Sequence, residues 1–347
     1  MGTNRFYLLD SLSDEPIPWK LEDEPPLPWP DCRYFAQVLS AVDRARPDLN
    51  LRFVVTDRVM EAFPLRGEDV VVICIHDELS RMPGYVLDVR LLAKTYGVRR
   101  TANALNHRSL TALVATLLQE AFVQGRRAPS LLASGLRAMW RAQWPRVLDV
   151  PLGTYLLEEV PLIPFDDRSY DISYGGSRVN SSKEADRRIP SQKMRSRREL
   201  ETVLVSLAMS RPDLRLGVQI IEAFHDAPAH GSTYSRLLVD SRMALCPRGG
   251  SLETYRFFEA LRCGAVPVTE RLPPRDFYTN APVVRVDNWA QLPTVLDRLL
   301  SDPDRLRSMH EAVLSWWSER CSPAAVASRL LAALETQSST VSCTHGA

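Results

Sequence analysis

Residues 241–289, SRMALCPRGGSLETYRFFEALRCGAVPVTERLPPRDFYTNAPVVRVDNW, contain the pattern that decides the fold. A short apolar run at 243–246 predicts a strand, and a Pro-Arg-Gly-Gly turn at 247–250 follows it directly. Residues 252–263 predict a helix that Gly264 ends, and the apolar run 265–268 predicts the next buried strand. The segment is therefore a strand–glycine loop–helix–strand unit.

One cation and one carboxylate, Arg256 and Glu259, stand near the start of the predicted helix. Backbone N–H groups in a glycine loop and at a helix N-terminus attract phosphate oxygens. A carboxylate such as Glu259 can accept hydrogen bonds from sugar hydroxyls. The unit therefore suits an anionic ligand that carries a ribose.

Composition places the chain among ordinary globular proteins. It has 347 residues, of which 45% are hydrophobic and 24% charged, and this length suits two α/β domains. The net charge of +1 creates no overall attraction toward nucleic acid or anionic lipid, so we expect no nucleic-acid partner. We expect neither a signal peptide nor a membrane span, because no apolar run approaches the ~20 residues that cross a bilayer.

The six cysteines are scattered along the chain. No C-x-x-C pair or Cys/His cluster predicts a zinc site. Cys74, Cys246 and Cys263 stand in apolar surroundings that are typical of small buried side chains. We therefore expect a reduced, cytoplasmic environment and no bound zinc.

Strands alternate with helices in the first half of the chain. Predicted strands lie at 5–9, 51–55 and 69–75, and predicted helices at 31–45, 86–95, 109–123 and 130–141. The run at 69–75 is apolar throughout, as in a strand that a parallel sheet buries on both faces. A proline-rich acidic stretch at 14–30, with Trp19 and Trp29, is either a binding loop or a surface insertion.

A second alternation begins after Trp144-Pro145. Predicted strands lie at 170–174, 215–223, 243–246, 265–268 and 283–286, with helices between and after them. This pattern predicts two doubly wound parallel sheets. We place the domains at 1–150 and 151–320, a last helix at 321–336 and a disordered tail at 337–347.

Three elements together resemble the C-terminal domain of exostosin-like glycosyltransferases: residues 245–249, 255–261 and 264–268. Residues 170–178 and 235–241 precede them in matching order, and Trp316-Trp317 stands before a last helix, so the resemblance covers roughly 150–335. It implies the GT-B fold, with two Rossmann-like domains that face each other across a cleft. The donor nucleotide would lie on the C-terminal domain, the acceptor on the N-terminal one, and the last helix would cross back to the first domain.

The resemblance implies a glycosyltransferase that moves a sugar from a nucleotide-diphosphate co-substrate to a hydroxyl of a small molecule or glycan. Retaining members of the wider fold often carry two glutamates eight residues apart, but Ser251 stands eight before Glu259, and Glu253 is out of register. The departure favours inversion. Three alternatives stay open: a fucosyltransferase-like enzyme, suggested by residues 267–289, a sugar-nucleotide epimerase, and a non-catalytic nucleotide-sugar-binding subunit.

The expected donor-binding residues follow the strand ends of the second domain: Arg178, Arg248, Gly249, Gly250, Arg256, Glu259 and Glu270. Arginine presents paired donors to phosphate oxygens, so the arginines are candidates for the diphosphate. The resemblance implies that Glu259 binds the ribose hydroxyls. Two surface interpretations compete: Glu259 could pair with Arg256, and Glu270, a candidate for the donor sugar, could pair with Arg271.

A basic group precedes and opens the helix that ends near residue 208. It comprises Arg187, Arg188, Lys193, Arg195, Arg197 and Arg198, and a solvated surface is the simpler interpretation of it. Lys193 or Arg197 could still reach the phosphates. No acidic pair suits a catalytic metal, so we expect arginines and helix N-termini to neutralise the leaving diphosphate.

An inverting transfer needs a general base, and His76, Asp77 and Glu78 follow the buried strand at 69–75. His76 has a suitable pKa, and Asp77 could orient it. Asp14 and Glu15 compete for the same role, and His225 with Asp226 form an alternative donor-site pair.

Overall fold

The computed structural model describes the chain apart from residues 1–4, 11–14, 26, 28, 30, 58, 60–62, 100, 102–109, 156–157, 180–190, 224–230 and 343–347. The described side chains also leave out 110–112, 115, 178–179, 222–223, 231 and 337–342. Two compact units make up the chain: Met1–Gly153 together with Ser322–Ala347, and Thr154–Cys321. The predicted boundary after residue 150 lies beside the division after Gly153.

The first unit contains strands β1 (Phe6–Leu9), β2 (Ile17–Pro18), β3 (Arg52–Thr56), β4 (Gly67–Cys74), β5 (Val89–Lys94) and β6 (Val147–Asp149). Its helices are α1 (Cys32–Ala45), α2 (Leu110–Arg141) and the last helix of the chain, which we number α8 (Pro323–Ser342). A 3-10 turn spans Gly84–Leu87.

The second unit contains strands β7 (Tyr170–Val179), β8 (Leu216–Ala223), β9 (Ser241–Cys246), β10 (Val266–Thr269) and β11 (Val284–Arg285). Its helices are α3 (Gln192–Ser210), α4 (Gly231–Val239), α5 (Tyr255–Arg262), α6 (Leu292–Leu300) and α7 (Pro303–Trp316). Two 3-10 turns, Phe165–Asp167 and Trp289–Gln291, and a π turn, Trp317–Cys321, complete it.

The sheet of the first unit has the order β2-β1-β3-β4-β5-β6. Only β2 is antiparallel to its neighbour, and the other pairings are parallel, with Val54 opposite Val72. The central strand β4 is buried from Val70 to Cys74, which explains its continuous apolar run. Helix α8 packs against α1 in this unit, and Arg46 Nη1 lies 2.9 Å from Glu335 Oε1.

The sheet of the second unit is parallel throughout, in the order β11-β10-β9-β7-β8. In chain order these are strands 5-4-3-1-2 of the unit, the order of a doubly wound flavodoxin-like sheet. The order reverses between β7 and β9. Ligands of such sheets bind at the carboxyl ends of the strands where the order reverses.

Helix α5 and strand β10 form as the sequence predicts. The buried residues Phe257, Phe258, Ala260 and Leu261 form one apolar side of α5. Gly264 ends the segment with φ +70, a backbone conformation that side chains disfavour. A Cβ at Gly264 would also lie 2.6 Å from His310 Cε1, so this turn requires glycine on two grounds.

Three sequence-based expectations are wrong. Residues 86–95 form a 3-10 turn and strand β5 instead of a helix, because a strand buried on both faces lacks the alternation that would distinguish it. The helices expected at 109–123 and 130–141 are one helix, α2, which continues through Pro129. Helix α8 continues to Ser342 rather than ending at 336, since no glycine or proline interrupts it; residues 343–347 lie outside the described part.

The predicted fold class is confirmed: the chain is α/β, with two units that are each built on a parallel sheet. Two units built on parallel sheets are what a GT-B prediction requires.

A buried arginine fixes the start of the second unit. Arg168 is only 1% exposed, and it donates to the carbonyl oxygens of Ile163 (3.1 Å), Ser241 (2.6 Å) and Cys263 (2.8 Å). Burial lowers the pKa of the Arg168 guanidinium to about 10, so the group remains charged at neutral pH. It thereby ties the segment before β7 to the start of β9 and the end of α5.

We expect Arg168→Leu to lower the free energy of unfolding by about 3 kcal/mol or more, because buried carbonyl groups lose their donors. Arg307→Ala is the matched control, since its ion pairs with Asp166 and Asp304 are exposed and worth at most about 1 kcal/mol. Urea denaturation measures both. Equal stability of the two variants would show that Arg168 does not hold these segments.

Candidate functional site

The strand-order reversal of the second unit defines the place to look for a ligand. β7 carries Gly175, Gly176 and Ser177 in its C-terminal half, and β9 ends at Cys246, directly before the glycine turn at 247–250. The structure groups Arg197, Arg248, Arg256, Glu259 and Glu270 around these two strand ends through the contacts described next.

Arg256 lies against the end of β7. Its Nε donates to the carbonyl oxygen of Gly175, and its guanidinium carbon is 5.9 Å from the centre of the Tyr174 ring. A Cβ on Gly176 would overlap the guanidinium, so this close approach requires glycine. Among the described residues, the two terminal nitrogens of Arg256 have no hydrogen-bond partner. The predicted contact of Arg256 with the donor diphosphate stays a prediction.

Glu259 is buried, with 3% exposure, so the interpretation of this residue as an exposed surface charge is wrong. Its Oε1 accepts from the backbone N–H of Tyr155 (3.0 Å) and its Oε2 from the Tyr234 hydroxyl (2.8 Å). Burial and the Glu259 charge raise the pKa of Tyr234 well above 10, so the phenol remains a donor. Glu259 thus holds helix α4 and residue 155 in place, and its predicted contact with ribose stays a prediction.

Tyr234 explains the other glycine of this strand. A Cβ on Gly175 would lie 2.5 Å from Tyr234 Cε2. The two glycines of β7 therefore admit two different neighbours, a tyrosine held by Glu259 and the Arg256 guanidinium.

Arg248 and Glu270 join the glycine turn to α3. Arg248 is buried and donates from Nη1 to Gln192 Oε1 and from Nη2 to Gly250 O (3.4 Å). Glu270 Oε2 accepts from the Arg248 N–H (3.0 Å) and from Ser196 Oγ (2.6 Å). Ser196 Oγ in turn accepts from Trp289 Nε1 at 3.0 Å.

These bonds show that Glu270 points toward the glycine turn, and the described structure gives it no ion pair with Arg271. Its second oxygen, Oε1, has no hydrogen-bond partner among the described residues. A donor sugar hydroxyl could therefore bind there, which leaves the predicted role of Glu270 open.

The first turns of α3 contribute two cations, for which a solvated surface was the simpler interpretation and a contact with the phosphates the alternative. Lys193 and Arg197 are both buried, and Arg197 Nη1 donates to the carbonyl and hydroxyl oxygens of Ser177. The spacing of these residues in the sequence indicates that they are buried. Lys193 and Arg197 continue the helical stripe of the buried residues Leu200 and Leu204, so the same side of the helix carries both.

An ion pair that the sequence did not predict fixes the segment before α5. Arg275 and Glu253, each 3% exposed, meet through two hydrogen bonds of 3.1 and 2.9 Å. Glu253, which had no role in the sequence analysis, therefore positions the chain between the glycine turn and the helix.

The remaining donor-site candidates are only partly described. The backbone of Arg178 belongs to β7, but its side chain lies outside the described residues, as do His225 and Asp226 entirely. Gly249 and Gly250 form the turn after β9, where Gly250 accepts from Arg248.

The first unit contains a histidine–carboxylate pair. His76 follows β4, and its Nε2 lies 2.8 Å from Oδ2 of Asp31, which is fully buried before α1. Trp29 meets the imidazole edge-on, with 5.7 Å between ring centres. His76 adopts φ 63, a strained conformation for a residue other than glycine.

Electrostatics favour the charged form of His76. Burial lowers its pKa, but the charge and hydrogen bond of Asp31 outweigh that effect and raise the pKa above 6.5. Asp57 and Glu78 contribute in the same direction. Stability from this pair is complete below pH 6.5 and is lost as the pH rises through the elevated pKa.

The sequence suggested that Asp77 orients His76, but Asp77 has other partners. It is buried and pairs with Lys94 Nζ (2.7 Å) and Arg81 Nε (3.0 Å). Burial raises the pKa of Asp77, but these two cations lower it below its usual value, so it remains an ionised structural partner. Asp31 contacts His76 instead. The residues next to His76 in sequence could not indicate this partner, because Asp31 is 45 residues away.

The other first-unit candidates are resolved unevenly. Glu78 is partly exposed beside His76, Glu15 is exposed, and Asp14 lies outside the described residues. Trp19 is 4% exposed and belongs to the core, so of the two tryptophans in the proline-rich stretch only Trp29 is placed beside a candidate residue.

Within the described part of the chain, no group of three or more His, Cys, Asp or Glu side chains is arranged to hold a metal ion. In the same part, no helix combines the length and apolar character needed to cross a membrane.

Comparison with known proteins identifies one similar family domain. The family model described as the RXYLT1 C-terminal domain matches residues 192–276. This match confirms the resemblance to exostosin-like glycosyltransferases over the segment that carries the quoted motifs. No curated protein sequence matches the chain.

Several solved structures are similar over most of the chain at low identity. Sucrose-phosphate synthase from Thermosynechococcus elongatus is 12% identical, with 89% of this chain and 94% of that chain covered and a TM-score of 0.44. WaaG, a glycosyltransferase involved in lipopolysaccharide biosynthesis, is 14% identical, with 88% and 96% covered and a TM-score of 0.43. Alr3699/HepE from Anabaena, in complex with UDP, is 10% identical, with 86% and 96% covered and a TM-score of 0.37.

Proposed function

We propose that the chain is a glycosyltransferase that moves a sugar from a nucleotide-diphosphate donor to an acceptor hydroxyl. One observation carries the proposal. The residues that match the RXYLT1 C-terminal domain, 192–276, contain the charged side chains that the described contacts group at the β7 and β9 ends: Arg197, Arg248, Arg256, Glu259 and Glu270.

The donor would bind at the strand-order reversal of the second unit. The two terminal nitrogens of Arg256, which have no hydrogen-bond partner among the described residues, would bind diphosphate oxygens, and the buried Arg197 adds positive charge to the same strand end. The ribose is assigned to Glu259 and the transferred sugar to Glu270 Oε1. Arginines can stabilise the charge of the leaving diphosphate, so the proposed mechanism uses no metal.

The acceptor hydroxyl would be deprotonated by His76 in an inverting transfer. Because Nε2 faces the Asp31 carboxylate, neutral His76 donates its proton there and presents Nδ1 as the proton acceptor. Nδ1 has no hydrogen-bond partner among the described residues. Asp31 would then stabilise the imidazolium that forms.

We also propose a cytoplasmic location. The described cysteines, Cys32, Cys74, Cys246, Cys263 and Cys321, are buried free thiols. Unpaired thiols are usual in a reducing compartment.

The donor site predicts a specific loss of affinity. We expect Arg256→Ala to weaken binding of a nucleoside diphosphate by roughly 10- to 100-fold, because charge-assisted hydrogen bonds worth ~1.5–3 kcal/mol are lost. Calorimetry with UDP, GDP, dTDP and ADP measures this and identifies the base. The control is Arg262→Ala on the same helix, whose contact with exposed Glu159 at 3.5 Å is weak. Unchanged affinity in Arg256→Ala would refute the donor site.

The assigned base predicts a loss of turnover without loss of donor binding. We expect His76→Asn to lower kcat by roughly 10²–10⁴-fold at saturating donor, whereas Glu78→Gln remains near wild type. Asparagine suits this position because it tolerates the positive φ. Turnover is followed with a panel of sugar acceptors. Wild-type turnover in His76→Asn would remove His76 from the mechanism while leaving the donor site intact.

The pKa of His76 gives an independent test of its partner. In Asp31→Asn, burial is opposed only by the smaller contributions of Asp57 and Glu78, so we expect the pKa of His76 to fall. An NMR titration of the imidazole measures the change, and the rising limb of the pH–rate profile should shift to lower pH by the same amount. A titration unchanged by the substitution would show that Asp31 does not set the charge of His76.

A further inference from the structure

Helix α2 has two opposite faces, and only one of them has a partner in the described structure. The side turned toward the first unit contains Thr116, Val123, Arg127, Ser134 and Ala138, all buried and spaced at intervals of one or two helical turns. Arg127 anchors this side through bonds to Ser80 O (3.2 Å) and Val98 O (2.8 Å).

The opposite side is apolar and faces solvent. Its exposed residues are Val114, Leu117, Leu118, Phe122, Leu132, Leu136, Met139 and Trp140, and Trp144 follows just after the helix. Trp140 is 85% exposed, Trp144 75% and Met139 72%. At 100° per residue the helical members fall within one arc opposite the buried side. A continuous apolar surface of this kind on a globular protein marks an interaction site.

Positive charge borders this apolar side. Arg126 and Arg137 are about three turns apart on the same flank, and neither has a carboxylate partner among the described residues. The Arg126 guanidinium lies 5.2 Å from the centre of the exposed Phe122 ring. The one acidic residue of the helix, Glu120, falls on the buried half of the wheel.

We propose that α2 is an interfacial helix that binds the chain to an anionic lipid surface. An apolar side bordered by arginines, with tryptophans at one end, suits the boundary between acyl chains and negatively charged headgroups. A second copy of the chain fits less well, because an antiparallel two-fold pairing of this face would bring Arg126 and Arg137 of both copies to the same edge. The helix would lie along the surface. The inference is independent of the donor site and of the base.

Vesicle sedimentation tests the proposal with the full chain. We expect it to pellet with vesicles of phosphatidylcholine and phosphatidylglycerol, to bind phosphatidylcholine alone more weakly, and to dissociate as salt is raised. The triple variant Leu136→Ser, Met139→Ser, Trp140→Ala should bind the mixed vesicles at least about tenfold more weakly. Arg126→Gln with Arg137→Gln should remove the preference for the anionic lipid.

The matched control is Val205→Ser with Met209→Ser, which removes apolar residues of 62% and 82% exposure from α3 and should leave vesicle binding unchanged. All substituted positions are exposed or lie on the exposed side, so circular dichroism should show intact folding. Two results would overturn the proposal. In one, the triple variant binds the vesicles as strongly as the wild type; in the other, the wild-type chain binds neither vesicle type. A dimer that forms without lipid and dissociates in the triple variant would assign the surface to self-association instead.

Discussion

The reversal of strand order between β7 and β9 is the constraint on which the second unit depends. It leaves the carboxyl ends of two neighbouring strands open to a ligand, because their connections leave in opposite directions. Helix α3 after β7 and helix α5 after β9 then supply side chains to the same place. Arg197 reaches Ser177 and Arg256 reaches Gly175, so cations from both helices converge on one strand end.

Buried charged residues make two kinds of contact in the two units. Arg168 uses only backbone carbonyls, whereas Arg275–Glu253 and Lys94–Asp77 are buried ion pairs. Such pairs add little net stability relative to apolar replacements, but breaking one leaves an uncompensated charge. Loss of either partner would therefore disturb the loop that carries the pair. The loops that carry these pairs, 247–254 and 77–81, are next to the candidate donor and base residues.

The sequence predicts those strands, helices and turns that depend on residues close together along the chain. Strand β9, helix α5, Gly264 and strand β10 follow from short apolar runs and one helix-ending glycine, and they form as predicted. Strand β5 is not recognisable because a strand buried on both faces has no alternation, and the sequence predicts two helices where α2 continues through Pro129. Residue types at strand ends were sufficient to nominate Arg256, Glu270 and His76.

The partners of those residues could not be predicted, because they are distant in sequence. Glu259 meets Tyr155 across 104 positions, and His76 meets Asp31 across 45. No local pattern distinguishes a carboxylate that will be buried against such partners from one that will face solvent. Arg197 is an exception, since its helical alignment with Leu200 and Leu204 indicated a buried side.

Substitution of Arg256 would remove both its charge and its position beside β7, whereas substitution of Gly176 would change only the position. The three atoms nearest to an added methyl group at Gly176 would all belong to the Arg256 guanidinium, and the glycine has no positive φ to maintain. Alanine there would displace the guanidinium while keeping its charge in the neighbourhood. The size of the residue at position 176 would thus determine where the guanidinium lies. Natural variation there would change anion recognition without altering any charged residue.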